Sequence, residues 1–126
     1  MQQMVHTCYR VKDLEASLKF YQGAFDFKET RRKDFPDHKF TNVYLALPGS
    51  DYELELTYNY DHDAYNLGDG FSHIAISTKD LEGLHEKHKA AGYEVTNLKG
   101  LPGTPPSYYF ITDPDGYDVE VIRCKK

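Results

Sequence analysis

Two imidazoles and two carboxylates recur in step along this chain. His6 precedes Lys12-Asp13-Leu14-Glu15 by the interval at which His73 precedes Lys79-Asp80-Leu81-Glu82, the copies being displaced by 67 positions (73 − 6). Tyr52-Glu53-Leu54-Glu55-Leu56 returns as Tyr117-Asp118-Val119-Glu120-Val121, displaced by 65 (117 − 52). His6, Glu55, His73 and Glu120 are therefore pseudo-equivalent donors, the set that a metal on an internal two-fold axis requires. Imidazole and carboxylate without thiolate suit Zn, Ni, Co, Mn or Fe(II) in four-coordinate to six-coordinate geometry. Two carboxylates neutralise a divalent ion. Such an ion acts as a Lewis acid on both oxygens of a hydroxycarbonyl and stabilises a developing enediolate. A carboxylate that can leave the metal is also a base placed for proton transfer.

Side chains so spaced need strands to carry them. Residues 4–11 alternate as a strand, and Asp13 can cap a helix bearing Leu14, Leu18, Phe20, Tyr21 and Phe25 and ending near Asp26. Segments 27–34, 40–47 and 52–59 read as strands, the last two joined in a hairpin by Pro48-Gly49-Ser50-Asp51. The order then repeats: strand 71–78, a helix from Asp80 to Ala91-Gly92, and strands 93–97, 107–112 and 117–122. Asp113-Pro114-Asp115-Gly116 is the turn equivalent to the first hairpin's. The fold expected is α+β: one domain over 1–126, made of two tandem βαβββ modules that form a curled mixed sheet. The first module is 1–60, the linker 61–70 and the second module 71–126. Lys99 to Pro106, with three prolines and two glycines, is a loop able to cover a cleft.

Alternation along the closing strands sets Tyr52, Leu54 and Leu56 against Glu53, Glu55 and Thr57, and Tyr117, Val119 and Val121 against Asp118, Glu120 and Ile122. One glutamate on such a strand is ordinarily a solvent-facing position. Two, with two histidines in register with a repeat, point to a site.

Composition narrows the function classes. No run of 18 apolar residues exists to span a bilayer, and the net charge of −5 with interspersed cations argues against nucleic acid. The triplet Arg31-Arg32-Lys33 reads as a solvated strand end. Cys8 and Cys124 lack metal-knuckle spacing and read as reduced thiols; Met1 to Val5 lacks a secretory pattern, so a cytoplasmic location is expected. His85 and His88 lie among Glu82, Glu86, Lys87 and Lys89 and are expected on a wet helix face, while His38 and His62 are expected in solvent. Tyr108 and Tyr109 are expected in strand packing.

These residues also carry a family resemblance. His6-Thr7-Cys8-Tyr9-Arg10-Val11, Glu55-Leu56-Thr57-Tyr58-Asn59, Ser72-His73-Ile74-Ala75 and Asp113 to Glu120 together resemble glyoxalase I, also called lactoylglutathione lyase, of the vicinal-oxygen-chelate superfamily. The resemblance runs from Val5 to Arg123. It implies a homodimer with metal sites shared between subunits, four metal ligands at His6, Glu55, His73 and Glu120, and Glu120 as principal base with Glu55 opposite. The implied reaction converts the hemithioacetal of methylglyoxal and a thiol such as glutathione to S-D-lactoylglutathione through a metal-bound enediolate, detoxifying methylglyoxal. The short chain without long insertions is similar to the class using nickel or cobalt rather than zinc, and nickel is the expected metal. Arg10 and Asn59 match positions that hold the γ-glutamyl end of glutathione. The loop departs from the family pattern, reading Leu101-Pro102-Gly103-Thr104 where a lysine is usual, so Lys99 is the candidate for the thiol's other carboxylate.

Rival readings within the same fold make different demands. An acyl-thioester epimerase calls for glutamine at position 55, and an extradiol dioxygenase needs only two histidines and one carboxylate around Fe(II). A non-catalytic module that sequesters a drug such as bleomycin has no use for four ligands in register.

Overall fold

Asp13 does what a short acid ahead of an apolar run should: its carboxylate accepts the Ala16 N–H at 3.1 Å and starts helix α1, Leu14–Ala24. A computed structural model describes residues 1–125, which divide into two compact units, Met1–Asn66 and the remainder from Leu67. In the first unit α1 follows strand β1 (His6–Val11) and precedes β2 (Lys28–Phe35), β3 (Phe40–Ala46) and β4 (Glu53–Asn59). The sheet order is β1-β4-β3-β2, with β1 parallel to β4 and the other pairs antiparallel.

The helix buries Ser17, Leu18, Phe20, Tyr21 and Ala24. Val11, Val43, Leu45 and Leu56 are sealed in the same core, each such side chain contributing about 1.5–3 kcal/mol by leaving water. Tyr21 and Phe27 meet edge to face at 5.8 Å and close the helix end of this core. With Leu54 and Leu56 turned inward, the opposite face of β4 presents Glu53, Glu55, Thr57 and Asn59.

The expected hairpin forms, closed by the Ser50 N–H on the Leu47 carbonyl at 3.1 Å. Arg31-Arg32-Lys33 is not a strand end. It occupies the middle of β2, an edge strand whose charged residues are exposed along nearly its whole length and which bulges between Glu29 and Arg31. An edge pairs on one side only, and charge there discourages a further strand from adding.

The second unit repeats the plan with β5 (His73–Thr78), α2 (Leu81–Ala90), β6 (Glu94–Val95), β7 (Tyr108–Thr112) and β8 (Asp118–Arg123), in the order β5-β8-β7-β6 with β5 parallel to β8. Asp80 caps α2 through the Gly83 N–H at 3.0 Å, and Gly92, at φ +88°, ends it in the left-handed region. The strand expected over 93–97 shrinks to Glu94–Val95. The turn after β7 is built on buried Asp113, whose Oδ1 accepts the N–H groups of Asp115 and Tyr117 at 2.9 Å each, while Gly116 takes φ +98°.

His85 and His88 overturn the expectation of a wet face. They are 7% and 2% exposed and point at the sheet, where His85 Nε2 meets the Thr96 carbonyl at 2.9 Å and His88 Nδ1 meets the Tyr109 hydroxyl at 2.8 Å. Leu81, His85 and His88 are spaced i, i+4, i+7 and form the buried stripe of α2; Glu82, Glu86, Lys87 and Lys89 lie outside it. Tyr109 packs as expected, and burial raises its hydroxyl pKa well above the ordinary tyrosine value. The loop after β6 is tied down by Lys99, whose backbone N–H donates to the Tyr108 carbonyl at 2.8 Å, and by Arg123, which reaches both Glu82 and the Pro106 carbonyl. Among the described residues no helix is long and apolar enough to cross a membrane.

Candidate metal centre

Each unit brings one histidine to one glutamate by the same device. His6 opens β1 and Cys8, two residues on, lies in register with Glu55 of β4; His73 opens β5 and Ala75, two residues on, lies in register with Glu120 of β8. Residues two apart on a strand share a face, so each imidazole reaches its glutamate diagonally. His6 Nε2 lies 3.1 Å from Glu55 Oε1, and His73 Nε2 lies 3.1 Å from Glu120 Oε1.

These separations fit a metal. With metal–ligand bonds of about 2.1 Å, two ligands at right angles around one ion stand about 3.0 Å apart. Ser72 Oγ lies 2.6 Å from His73 Nδ1 and orients the ring so that Nε2 faces the carboxylate. Among the described residues no three His, Cys, Asp or Glu side chains gather where they could hold a metal, so the four sequence-derived ligands appear as two pairs.

The surroundings of the pairs differ. Glu55 is 8% exposed, whereas Glu120 is half-buried. Across the ladder, Glu55 faces Tyr44 and Tyr44 faces Arg31, while Glu120 faces Phe110. Each aromatic ring also meets its histidine edge to face, Tyr44 with His6 at 6.1 Å and Phe110 with His73 at 5.0 Å. The Arg31 guanidinium lies 3.8 Å from the Tyr44 ring centre and pairs with Glu53 at 3.0 Å. Thr30 Oγ1 donates to the same Glu53 carboxylate at 2.6 Å, and the bonds from Arg31 and Thr30 lower the Glu53 pKa. Burial, then the Glu55 carboxylate, raises the Tyr44 hydroxyl pKa. Desolvation likewise raises the Cys8 thiol, which sits 3.3 Å from Thr57 Oγ1.

Arg10 stands opposite Thr57 on the strand face shared by His6 and Cys8. Asn59 ends β4 and donates through Nδ2 to the Tyr65 hydroxyl at 2.8 Å; the Tyr65 ring stacks on exposed His62. Lys99 is exposed and joins β7 through its backbone bridge to Tyr108. Tyr44 and Thr30 escaped the sequence reading, which took Arg31 for a solvated strand end and placed Glu53 only on the face of Glu55. Tyr44 had a signal: a hairpin closed symmetrically on Pro48-Gly49-Ser50-Asp51 sets 44 against 55.

Residues 3–121 match the profile of the Glyoxalase/Bleomycin resistance protein/Dioxygenase superfamily. The chain is 40% identical over 122 residues to a lactoylglutathione lyase of Arabidopsis thaliana, an alignment covering 94% of this chain and 43% of that protein. It is 37% identical over 126 residues to the lactoylglutathione lyase of Haemophilus influenzae, covering 98% of this chain and 93% of that one. Among solved structures, glyoxalase I from Zea mays superposes with a TM-score of 0.88 at 38% identity, over 98% of this chain and 45% of that chain. The chain thus spans less than half the length of the plant relatives it matches and nearly the whole length of the bacterial one.

Proposed function

Because the chain belongs to the Glyoxalase/Bleomycin resistance protein/Dioxygenase superfamily, we propose that it acts as a lactoylglutathione lyase. Its substrate is the hemithioacetal of methylglyoxal and glutathione or another small thiol, its product is S-D-lactoylglutathione, and its role is methylglyoxal detoxification. The observation that carries this reading is the pair of matching His–Glu contacts at 3.1 Å, one in each repeat, in a chain whose relatives bear that name.

Each contact is half of a four-ligand set for a divalent metal, with His6 and Glu55 given by one copy of the chain and His73 and Glu120 by a second in a homodimer. The ion supplies Lewis acidity to the two oxygens of the hydroxycarbonyl. Glu120 takes the proton from C1 and returns it to C2 while the hydroxyl proton on the C1 oxygen passes to the C2 oxygen, so that the former aldehyde carbon becomes the thioester carbonyl and the former ketone carbon becomes the secondary alcohol. Glu55 is the second carboxylate of the set. Arg10 clasps the thiol's α-carboxylate with its guanidinium, Asn59 donates and accepts at the same end, and Lys99 pairs with the remaining carboxylate. The donors are nitrogen and oxygen alone, which suits nickel, with cobalt or zinc as substitutes. Two free cysteines accord with a reducing compartment, and the cytoplasm is the proposed location.

Metal-stripped protein reconstituted separately with Ni, Co, Zn and Mn, and assayed for thioester formation from methylglyoxal and glutathione, tests the reading. Turnover with Ni or Co above Zn supports it; tight metal binding without turnover on glutathione or other small thiols overturns it.

A further inference from the structure

On the face of the first sheet that carries Glu55, three side chains from three strands form a hydrogen-bonded chain. Cys8 of β1 faces Glu55 in register, Thr57 follows Glu55 by two residues on β4, and Asn42 of β3 faces Thr57. Thr57 Oγ1 donates to Asn42 Oδ1 at 2.8 Å, and Cys8 Sγ lies 3.3 Å from the same Oγ1. A hydroxyl has one hydrogen, so with that hydrogen given to Asn42 the Thr57 oxygen accepts from the Cys8 S–H. The chain therefore has a direction. It holds the half-buried Asn42 amide with its oxygen toward Thr57, and among the described residues the amide NH2 has no hydrogen-bond partner. Lys33, exposed at the next position of the row, likewise offers only donors. The second sheet has no counterpart, because the positions equivalent to Cys8, Thr57 and Asn42 are Ala75, Ile122 and Tyr108.

We propose that Asn42 is a specificity-determining residue whose amide donates to an oxygen on the substituent of the 2-oxoaldehyde, so that the site takes 2-oxoaldehydes hydroxylated on the third carbon in preference to methylglyoxal. The proposal rests on the isomerase reading above. In that reading the hemithioacetal reacts beside Glu55 and has two arms, the thiol on C1 and the aldehyde's own substituent on C2. Arg10, which takes the thiol's carboxylate, stands on β1 to one side of β4, whereas Asn42 stands on β3 to the other. With the thiol arm drawn toward β1, the C2 substituent extends over β3 toward Asn42 and Lys33. A methyl group there offers the amide nothing and displaces the water that would otherwise satisfy it; a hydroxyl oxygen accepts its hydrogen. Thr57 and Cys8 are positioning residues that hold the donor in one orientation.

Nickel-loaded parent and Asn42→Leu, each checked by thermal melting, are compared on the glutathione hemithioacetals of methylglyoxal and of 3-hydroxy-2-oxopropanal. The parent is expected to have the higher kcat/KM on the hydroxylated substrate. Asn42→Leu is expected to lose about fivefold in the ratio of the two kcat/KM values, the factor that one neutral hydrogen bond is worth, with methylglyoxal turnover unchanged or raised. Thr57→Val keeps the amide but frees its orientation, and should lower the same ratio by less, through KM rather than kcat; Thr57→Ser, which keeps the hydroxyl, should match the parent. S-methylglutathione has the thiol's carboxylates and peptide bonds but no aldehyde part, and calorimetry should find equal affinity for parent and Asn42→Leu. An equal ratio in parent and Asn42→Leu, both active on methylglyoxal, would overturn the proposal and leave the isomerase reading standing. A loss confined to S-methylglutathione affinity would also overturn it, by giving the amide to the thiol. A parent that turns over neither hemithioacetal would remove both the proposal and the reading beneath it.

Discussion

On the proposed reading the chemistry of this chain reduces to a choice of donor at four positions. His6 and Glu55, and His73 and Glu120, meet at the same distance because a strand places residues two apart on one face, and a parallel neighbour continues that face. Imidazole and carboxylate donors without thiolate suit a divalent ion, which is why the pairs are proposed as metal ligands. Glu120→Gln keeps the oxygen donor and removes the base: turnover should fall by at least about 10², with part of the metal affinity retained, measured by kcat and by metal content after gel filtration. Full activity in that variant would remove Glu120 from proton transfer. His73→Ala removes a nitrogen donor outright, and the expected outcome is loss of metal as well as loss of turnover.

The elements set how firmly those side chains stand. Asp113 is buried, and its carboxylate satisfies two backbone N–H groups in the turn that leads into β8 and Glu120. Asp113→Ala strands both donors and should cost about 2–3 kcal/mol in denaturant unfolding; a loss near zero would show that the turn holds itself. The Arg31–Glu53 pair makes a pH-dependent contribution with a definite sign. Its bonds lower the Glu53 pKa below the unfolded-chain value, so its stabilisation is complete above the ordinary carboxylate range and fades as pH falls through the folded-state pKa. Glu53→Gln should therefore lower stability at neutral-to-basic pH and flatten the acid limb of the stability profile, and an unchanged acid limb would contradict this.

Most elements were legible because caps and turns are local: Asp13, Asp80, Gly92 and the turn at Pro48 each act within a few residues. The buried stripe of α2 was legible too, in the spacing from Leu81 to His85 and His88, but neighbouring charges concealed it. The bulge between Glu29 and Arg31, which aligns Arg31 with Tyr44, had no local signature, since it arises only when β2 pairs with β3.

At the scale of the whole molecule, an internal repeat has supplied two near-copies of one half-site and then let their surroundings diverge. On the proposed reading the chain is a metal-dependent isomerase whose ligand set is completed by a second copy of the chain. A complementation assay addresses that claim most directly. One variant carries His6→Ala with Glu55→Gln and the other His73→Ala with Glu120→Gln, so neither alone keeps an intact pair of each kind. After mixing under dissociating conditions and reassembly with nickel, the account predicts that a heterodimer regains one complete site, restoring metal uptake and up to about half the parental isomerase activity per dimer. Two variants that stay metal-free and inactive when mixed, while the parent survives the same treatment fully active, would contradict it.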